Sequence, residues 1–224
     1  MTIEPLLLSF RLAAIVSLLL LMIGMPLAYW LAFSRWPGKF LLEAVVALPL
    51  VLPPTVLGFY ALVALGPRGF LGRASQALFG HALAFTFSGL VIASIVYSLP
   101  FAVQPLVASF ESLDRRLLDA SAVLGAGRAR TFWRVILPLA WPGLVTAVVL
   151  SFAHTLGEFG VVLMVGGNLP GITRTVSIDI YDRVQALDYA GAQTISLALL
   201  AISFAVLCVV YGLNRQVWRP WPAK

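Results

Sequence analysis

Charge is scarce in this sequence. Asp, Glu, Lys and Arg supply 11% of its 224 residues, against about 25% in an ordinary soluble domain. So few charges cannot cover a water-facing surface, which excludes a soluble globular protein. The single cysteine, Cys208, excludes an intrachain disulfide and any cysteine-based metal cluster. Only two histidines occur, His81 and His154. Neither has a partner at metal-ligand spacing, so no metal is expected. A GxxxxGK[ST] phosphate loop, a GxGxxG turn and a nucleophile elbow are all missing, so no signature of nucleotide hydrolysis is present. Basic residues are missing ahead of the first apolar stretch too. "MTIEPLLLSF" carries Glu4 instead, and the apolar core that follows is too long for a cleaved signal peptide.

Apolar length is what remains. Hydrophobic residues make up 61% of the chain, and the mean hydropathy is +0.98. The few charges divide it into five long runs: 23 uncharged residues from Leu12 to Ser34, 24 from Ala44 to Pro67, 37 between Arg73 and Glu111, 23 from Val135 to Gly157, and 26 from Tyr189 to Asn214. A helix crosses the hydrocarbon core with about 20 apolar residues. The spacing predicts an all-α membrane protein with about five transmembrane helices, near 12–34, 44–66, 85–108, 136–157 and 189–213, in a single domain over 1–224. The shorter stretch from Phe159 to Thr173 is glycine-rich after Val165 and reads as a partial helix that does not cross.

The formal charge of +6 fits basic loops on the cytoplasmic side of a membrane, not a nucleic-acid surface. With the loop around Asp119 in the cytoplasm, ten Lys and Arg lie inside (Arg35, Lys39, Arg115, Arg116, Arg128, Arg130, Arg134, Arg215, Arg219 and Lys224). Five lie outside (Arg11, Arg68, Arg73, Arg174 and Arg183). The N-terminus is then outside and the C-terminus cytoplasmic. Trp30, Trp36, Trp133, Trp141, Trp218 and Trp221 stand near the inner boundaries, where interfacial aromatics anchor a helix.

Several residues depart from plain lipid-facing helix. Pro49, Pro53 and Pro54 each remove a backbone donor and crowd the preceding turn. The carbonyls they free need neighbouring helices or water in a cavity, so Pro53, Pro54 and Thr55 are candidates for a pathway lining. Pro100, Pro105, Pro138 and Pro142 are expected to kink their spans near the boundaries. The polar residues within the runs are mostly hydroxyls, Thr55, Ser94, Ser98, Ser151 and Thr155, with His154, which reads as a packed, hydrogen-bonded residue. Glu158 in "TLGEFG" is the acidic exception. It is either a gate residue or a boundary acid facing water, since Pro138 to Glu158 is about one membrane thickness at about 1.5 Å per residue.

The stretch "DASAVLGAGRARTFWRVILP", Asp119 to Pro138, is long, basic and partly apolar. Residues 111–134 are expected to form two short helices. Leu113, Leu117, Ala120 and Leu124 share a stripe on the first, and Gly125 and Gly127 permit a sharp turn. Such a helix fits a groove on another protein. Asp119-Ala120-Ser121, three residues, Gly125, nine residues, then Val135-Ile136-Leu137-Pro138 resembles the EAA loop of ABC-importer permeases. The pattern there is Glu-Ala-Ala, Gly and Ile-x-Leu-Pro at the same spacing. Asp for Glu, Ser for Ala and Val for Ile keep charge sign and size. The resemblance implies a type I ABC importer transmembrane domain in which Asp119, Ala120, Ser121, Gly125, Arg128, Leu137 and Pro138 couple the membrane part to an ATPase through a cytoplasmic coupling helix.

"LPLVLPPTVLGFYALVALGPRGFLG" (Leu48 to Gly72) and "LGEFGVVLMVGGNLPGITRT" (Leu156 to Thr175) are similar to the molybdate permeases of this class, and the resemblance covers most of the chain. It implies a permease in the cytoplasmic (inner) membrane that is not itself an enzyme and binds no cofactor. A second copy forms a homodimer with it, two cytoplasmic ABC ATPase subunits use ATP and Mg, and an external binding protein delivers molybdate or tungstate. Sulfate or thiosulfate permeases share the loop and are the alternative on substrate. An ion-coupled secondary transporter would call for paired intramembrane acids or an inverted repeat, neither of which is visible. A membrane enzyme lacks a catalytic constellation here.

Overall fold

The computed structural model describes residues 3–213. Its elements in chain order are α1 (Glu4–Phe33), α2 (Lys39–Val51), α3 (Pro54–Leu65), α4 (Phe70–Phe79), α5 (Phe87–Glu111), α6 (Arg115–Val123), α7 (Arg128–Thr131), a π-helical turn (Phe132–Ile136), α8 (Leu137–Leu139), α9 (Trp141–Leu156), α10 (Gly160–Gly166), α11 (Val176–Gln185) and α12 (Tyr189–Leu213). No strand occurs among the described residues. Arg215, Arg219, Lys224, Trp218 and Trp221, used above for orientation and anchoring, lie outside them.

Among the described residues three helices, α1, α5 and α12, are individually long and apolar enough to cross a bilayer; counting each bent pair as one span brings the number to five by length and composition. The boundaries differ from the sequence expectation in instructive ways. α1 begins at Glu4 and carries Arg11 within it, because Pro5 is well placed in a first turn and one cation does not interrupt backbone hydrogen bonding. The run 44–66 is two helices meeting at 111°. The tandem Pro53-Pro54 explains the break. A residue before proline is pushed out of the helical region, and both Leu52 (ψ 137°) and Pro53 (ψ 137°) are extended. Pro49 sits inside α2 without ending it, and α5 runs unbroken through Pro100 and Pro105. Pro138 and Pro142 stand in the first turns of α8 and α9, which meet at a 71° bend. Two amphipathic helices, α4 and α11, have no counterpart in the sequence reading. At ten residues each they are too short to cross a bilayer.

α1, α5 and α9 pack as the central layer. In lipid, helices gain no hydrophobic force from meeting each other, and close van der Waals approach takes over. Gly24 on α1 accordingly sits against α5, where an added Cβ would lie 3.5 Å from Val103 and 3.6 Å from Ala102. At one end Ala28, Leu31, Val103, Leu106, Phe110, Ile136 and Ala140 form a buried cluster. At the other, Leu12, Val16, Leu20, Leu90, Val162 and Ile178 form a second. Spacings of four along α1 (Leu12, Val16, Leu20) keep one face on this core. A third cluster, Leu57, Leu65, Ala93, Val161 and Val165, joins α3 and α10 to α5. It places α10 inside the protein as a broken half-helix.

Candidate functional site

The segment expected from the EAA-like spacing to couple to a partner is built around one glycine. Asp114 caps α6, its carboxylate accepting from the Arg116 amide at 2.9 Å. The helix ends in a Schellman turn: the Ala126 amide donates to the Ser121 carbonyl at 3.0 Å and the Gly125 amide to the Ala122 carbonyl at 2.9 Å. This motif puts the residue after the cap in the left-handed region, and Gly125 has φ +72°. Gly127 does not share the task. It precedes α7 with φ −67° and ψ 160°, ordinary extended backbone open to other residues.

The side of α6 that faces the body is the one away from the apolar stripe, as a helix meant for a groove on another protein requires. Ser121 is buried, its hydroxyl 2.8 Å from that of Thr131, and Leu118 packs on the core. Leu113 precedes the helix and is half-buried. Leu117 and Ala120 are exposed, and Val123 and Leu124 are 88% and 85% exposed. The apolar stripe therefore points away from its own chain. Asp119 and Arg128 are exposed beside it. Leu137 and Pro138 follow the π-helical turn. Pro138 has no amide to give the Arg134 carbonyl four residues back, and the wider turn accommodates that loss. The turn itself had no signal in the sequence beyond this proline.

A second constellation lies where two chain breaks meet. Pro53, Pro54 and Thr55 are exposed at the α2–α3 break. The α9–α10 break, Gly157 to Phe159, lies against it: a Cβ added to Gly160 would stand 2.8 Å from the Pro54 Cβ. Glu158 sits in this break. It does not face water, which overturns the boundary-acid alternative; it is 4% exposed. Ser94 of α5 faces it, and neither the carboxylate oxygens nor the Ser94 hydroxyl makes a hydrogen bond of good geometry. Beside it the Ser98 hydroxyl lies 2.9 Å from His154 Nδ1 and 3.0 Å from the Thr155 hydroxyl. His154 stacks on Phe101 with ring centroids 3.9 Å apart. His154 is thus a packed, bonded residue as read from the sequence. Ser151 bonds back to the Ala147 carbonyl of its own helix at 2.7 Å.

The chain matches, over residues 24–219, the family described as binding-protein-dependent transport system inner membrane component. The chain belongs to that family. It is 52% identical to the molybdenum transport system permease protein ModB of Azotobacter vinelandii over 208 residues, 93% of this chain and 92% of that protein. It is 38% identical to the protein of that name in Escherichia coli K12 over 213 residues, 95% and 93% of the two. A probable sulfate transport system permease protein of Chlorokybus atmophyticus is 36% identical over 191 residues, 85% of this chain and 65% of that one. Its fold is that of a bacterial ABC transporter involved in import of the acidic polysaccharide alginate (TM-score 0.73, 17% identity, 95% of this chain and 80% of that). The MetNI methionine ABC transporter in inward-facing form shares it too (TM-score 0.71, 17% identity, 97% and 96%). The type I ABC importer transmembrane fold expected from the EAA-like spacing is the observed one.

In this inner membrane component a further polar cluster braces the half-helix from outside the central layer, and the sequence reading passed over it. Arg174 donates to Asn168 Oδ1 at 2.6 Å and pairs with Asp182 at 3.5 Å, while the Asn168 amide donates to Asp182. Thr173 closes the loop, its hydroxyl donating to the Gly166 carbonyl at 2.7 Å. Arg183 joins Asp179 and Asp188 at 3.2 and 2.9 Å. The Gly191 amide and then Arg183 hold the Asp188 carboxyl below the usual carboxylate range. The only sequence signal for this bracing was the local density of charge from Arg174 to Asp188.

Proposed function

We propose that this chain is the membrane-spanning permease of an ATP-driven molybdate importer, acting by alternating access. The observation that carries the reading is its 52% identity, over nearly its whole length, to a molybdenum transport system permease protein. In this reading two copies form the pathway, two cytoplasmic ABC ATPases dock on the exposed face of α6 around Asp119, Ala120, Gly125 and Arg128, and an external binding protein delivers the oxyanion. ATP and Mg are used by the ATPases and this chain binds no cofactor. Tungstate follows the same route, being another tetrahedral oxyanion. No Lys or Arg lies between Ala44 and Pro67 or between Val135 and Gly157, so those runs offer hydroxyls and broken-helix amides and no deep cationic trap. Affinity and selectivity then reside in the external protein, and Pro53, Pro54, Thr55 and Glu158 serve the gate.

The test is uptake of labelled molybdate by cells in which this chain is the only molybdate permease. Uptake requiring the ATPase partner and surviving a large excess of sulfate is expected. Uptake abolished by equal sulfate would favour the sulfate permease reading, which the 36% relative supports.

Orientation is checked separately. With Cys208 replaced by Ser, a cysteine at Gln185 is expected to react with an impermeant thiol reagent in intact cells, and one at Val123 only after lysis. The reverse pattern would invert the topology, and with it the side on which α6 meets its partner.

A further inference from the structure

Glu158 is anomalous on three independent grounds. It is buried within one chain, 4% exposed, so neither a second copy nor a partner subunit is needed to bury it. Both carboxylate oxygens lack a hydrogen bond of good geometry, and the one polar group that faces them closely is the Ser94 hydroxyl, itself without any other partner. No Lys or Arg pairs with it among the described residues, although Lys39, Arg174 and Arg183 all find carboxylates. The titratable groups near it are the Tyr97 phenol of α5 and, on α9, His154, which is already held by Ser98. α3 and α10 bring apolar residues to the two breaks, Pro54 and Val161, and Tyr181 of α11 stands against the Phe159 ring, at 5.0 Å between centroids, with its hydroxyl taken by Gln185. An ionised carboxylate left there without a counter-charge or donors would carry a large desolvation cost. A carboxylic acid beside a serine hydroxyl carries little.

The position is as telling as the burial. Glu158 occupies the break between two half-helices, and that break is seated on the tandem-proline break of α2 and α3 through Gly160 and Pro54. Movement of the α3–α10 layer away from α5 and α9 would open this seam and admit water to Glu158.

We propose that Glu158 is a proton-binding site of the gate, protonated while the two breaks are packed together and deprotonated to entering water when they part. The gate assignment rests on the permease reading above; the proton site does not. The closed state then binds one proton more than the open state. Over the pH interval in which the two states differ, each unit of rising pH shifts the equilibrium toward the open state by up to about tenfold. Glu158→Gln mimics the protonated acid permanently, so it favours the closed state and removes the dependence.

The experiment is infrared spectroscopy of the full chain in lipid nanodiscs at neutral pH. A carboxylic acid C=O band present in wild type and absent in Glu158→Gln is expected, together with a Ser94→Ala variant in which the band persists at a shifted frequency. Absence of any such band in wild type would overturn the proton site, whatever the transport result, and so would a band unmoved by Ser94→Ala and retained in Glu158→Gln. The release step is read in the assembled transporter with its ATPase and external protein. Nucleotide trapping in the outward-open state is expected to diminish the band, and an unchanged band there would overturn the coupling to the gate. A wild-type chain that shows the band but never supports uptake would count against the permease reading and leave the proton site standing.

Discussion

Gly125→Asp is expected to leave the permease in the membrane at wild-type level and to lower transport at least about tenfold. The Schellman turn fixes φ at +72° there, a region that costs an L-residue roughly 1–2 kcal/mol. Nothing lies within 4 Å of an added Cβ, so no intrachain clash joins that strain. The damage is local. It tilts α6 relative to α7 and sets a new charge beside the exposed Leu124. On the proposed reading this face meets the ATPase, where overpacking costs a further 1–3 kcal/mol or so. A loss of about 1.4 kcal/mol is already tenfold. Gly125→Asn, which tolerates the left-handed region, is expected to retain most transport, and Gly125→Ala to fall between. Membrane abundance, ATPase co-purification and uptake are measured in the same cells. Normal abundance with wild-type uptake in Gly125→Asp would remove α6 from the coupling role.

The contrast between Gly125 and Gly127 shows how far the sequence could be read. Both are glycines in one turn, and nothing in composition or spacing says which carries the positive φ. That is set by where α6 ends, which depends on Ser121 being drawn to Thr131 ten residues on. The long uncharged runs were legible because they follow from backbone hydrogen bonding in lipid. The prolines marked the run 44–66 as something other than plain helix, but not which of them ends it: Pro49 read the same way as Pro53 and Pro54 and sits inside α2. The 111° angle was not legible, since α10 of a distant segment sets it by packing on α3. Glu158 was visible as an oddity, yet its burial was not, because the apparent length of one span placed it at the boundary. In the folded protein α9 ends at Leu156, as the run length suggests, but the chain then turns inward into the buried α10. α4 and α11 went unread because each is short, and α11 is also tied to an element far away in sequence: the Val176 amide that starts it bonds Ser9 of α1 at 2.8 Å.

That packing of α10 on α3 yields the second large expectation, at Gly58. An added Cβ there would lie 2.8 Å from Met164 Cβ and 3.2 Å from Val161 Cα. Neither atom is the flexible end of a side chain, so relief requires α3 and α10 to separate. Interiors packed at near-crystal density resist this, and overpacking of this kind costs typically 1–3 kcal/mol. Gly58→Val is therefore expected to lower the thermal stability of the purified permease and its abundance in the membrane, unlike Gly125→Asp. Gly58→Ala is the sharper probe. Met164→Gly removes the opposing Cβ, at about 1 kcal/mol for glycine in a helix plus the packing of the lost side chain. If the seam is as close as the distances say, the double variant is less destabilised than the sum of the two singles. A double-mutant cycle on thermal unfolding in detergent measures that difference. Strict additivity would mean that α3 and α10 do not touch at Gly58. The two breaks would then not move as one layer, and Glu158 would lose the lever that exposes it.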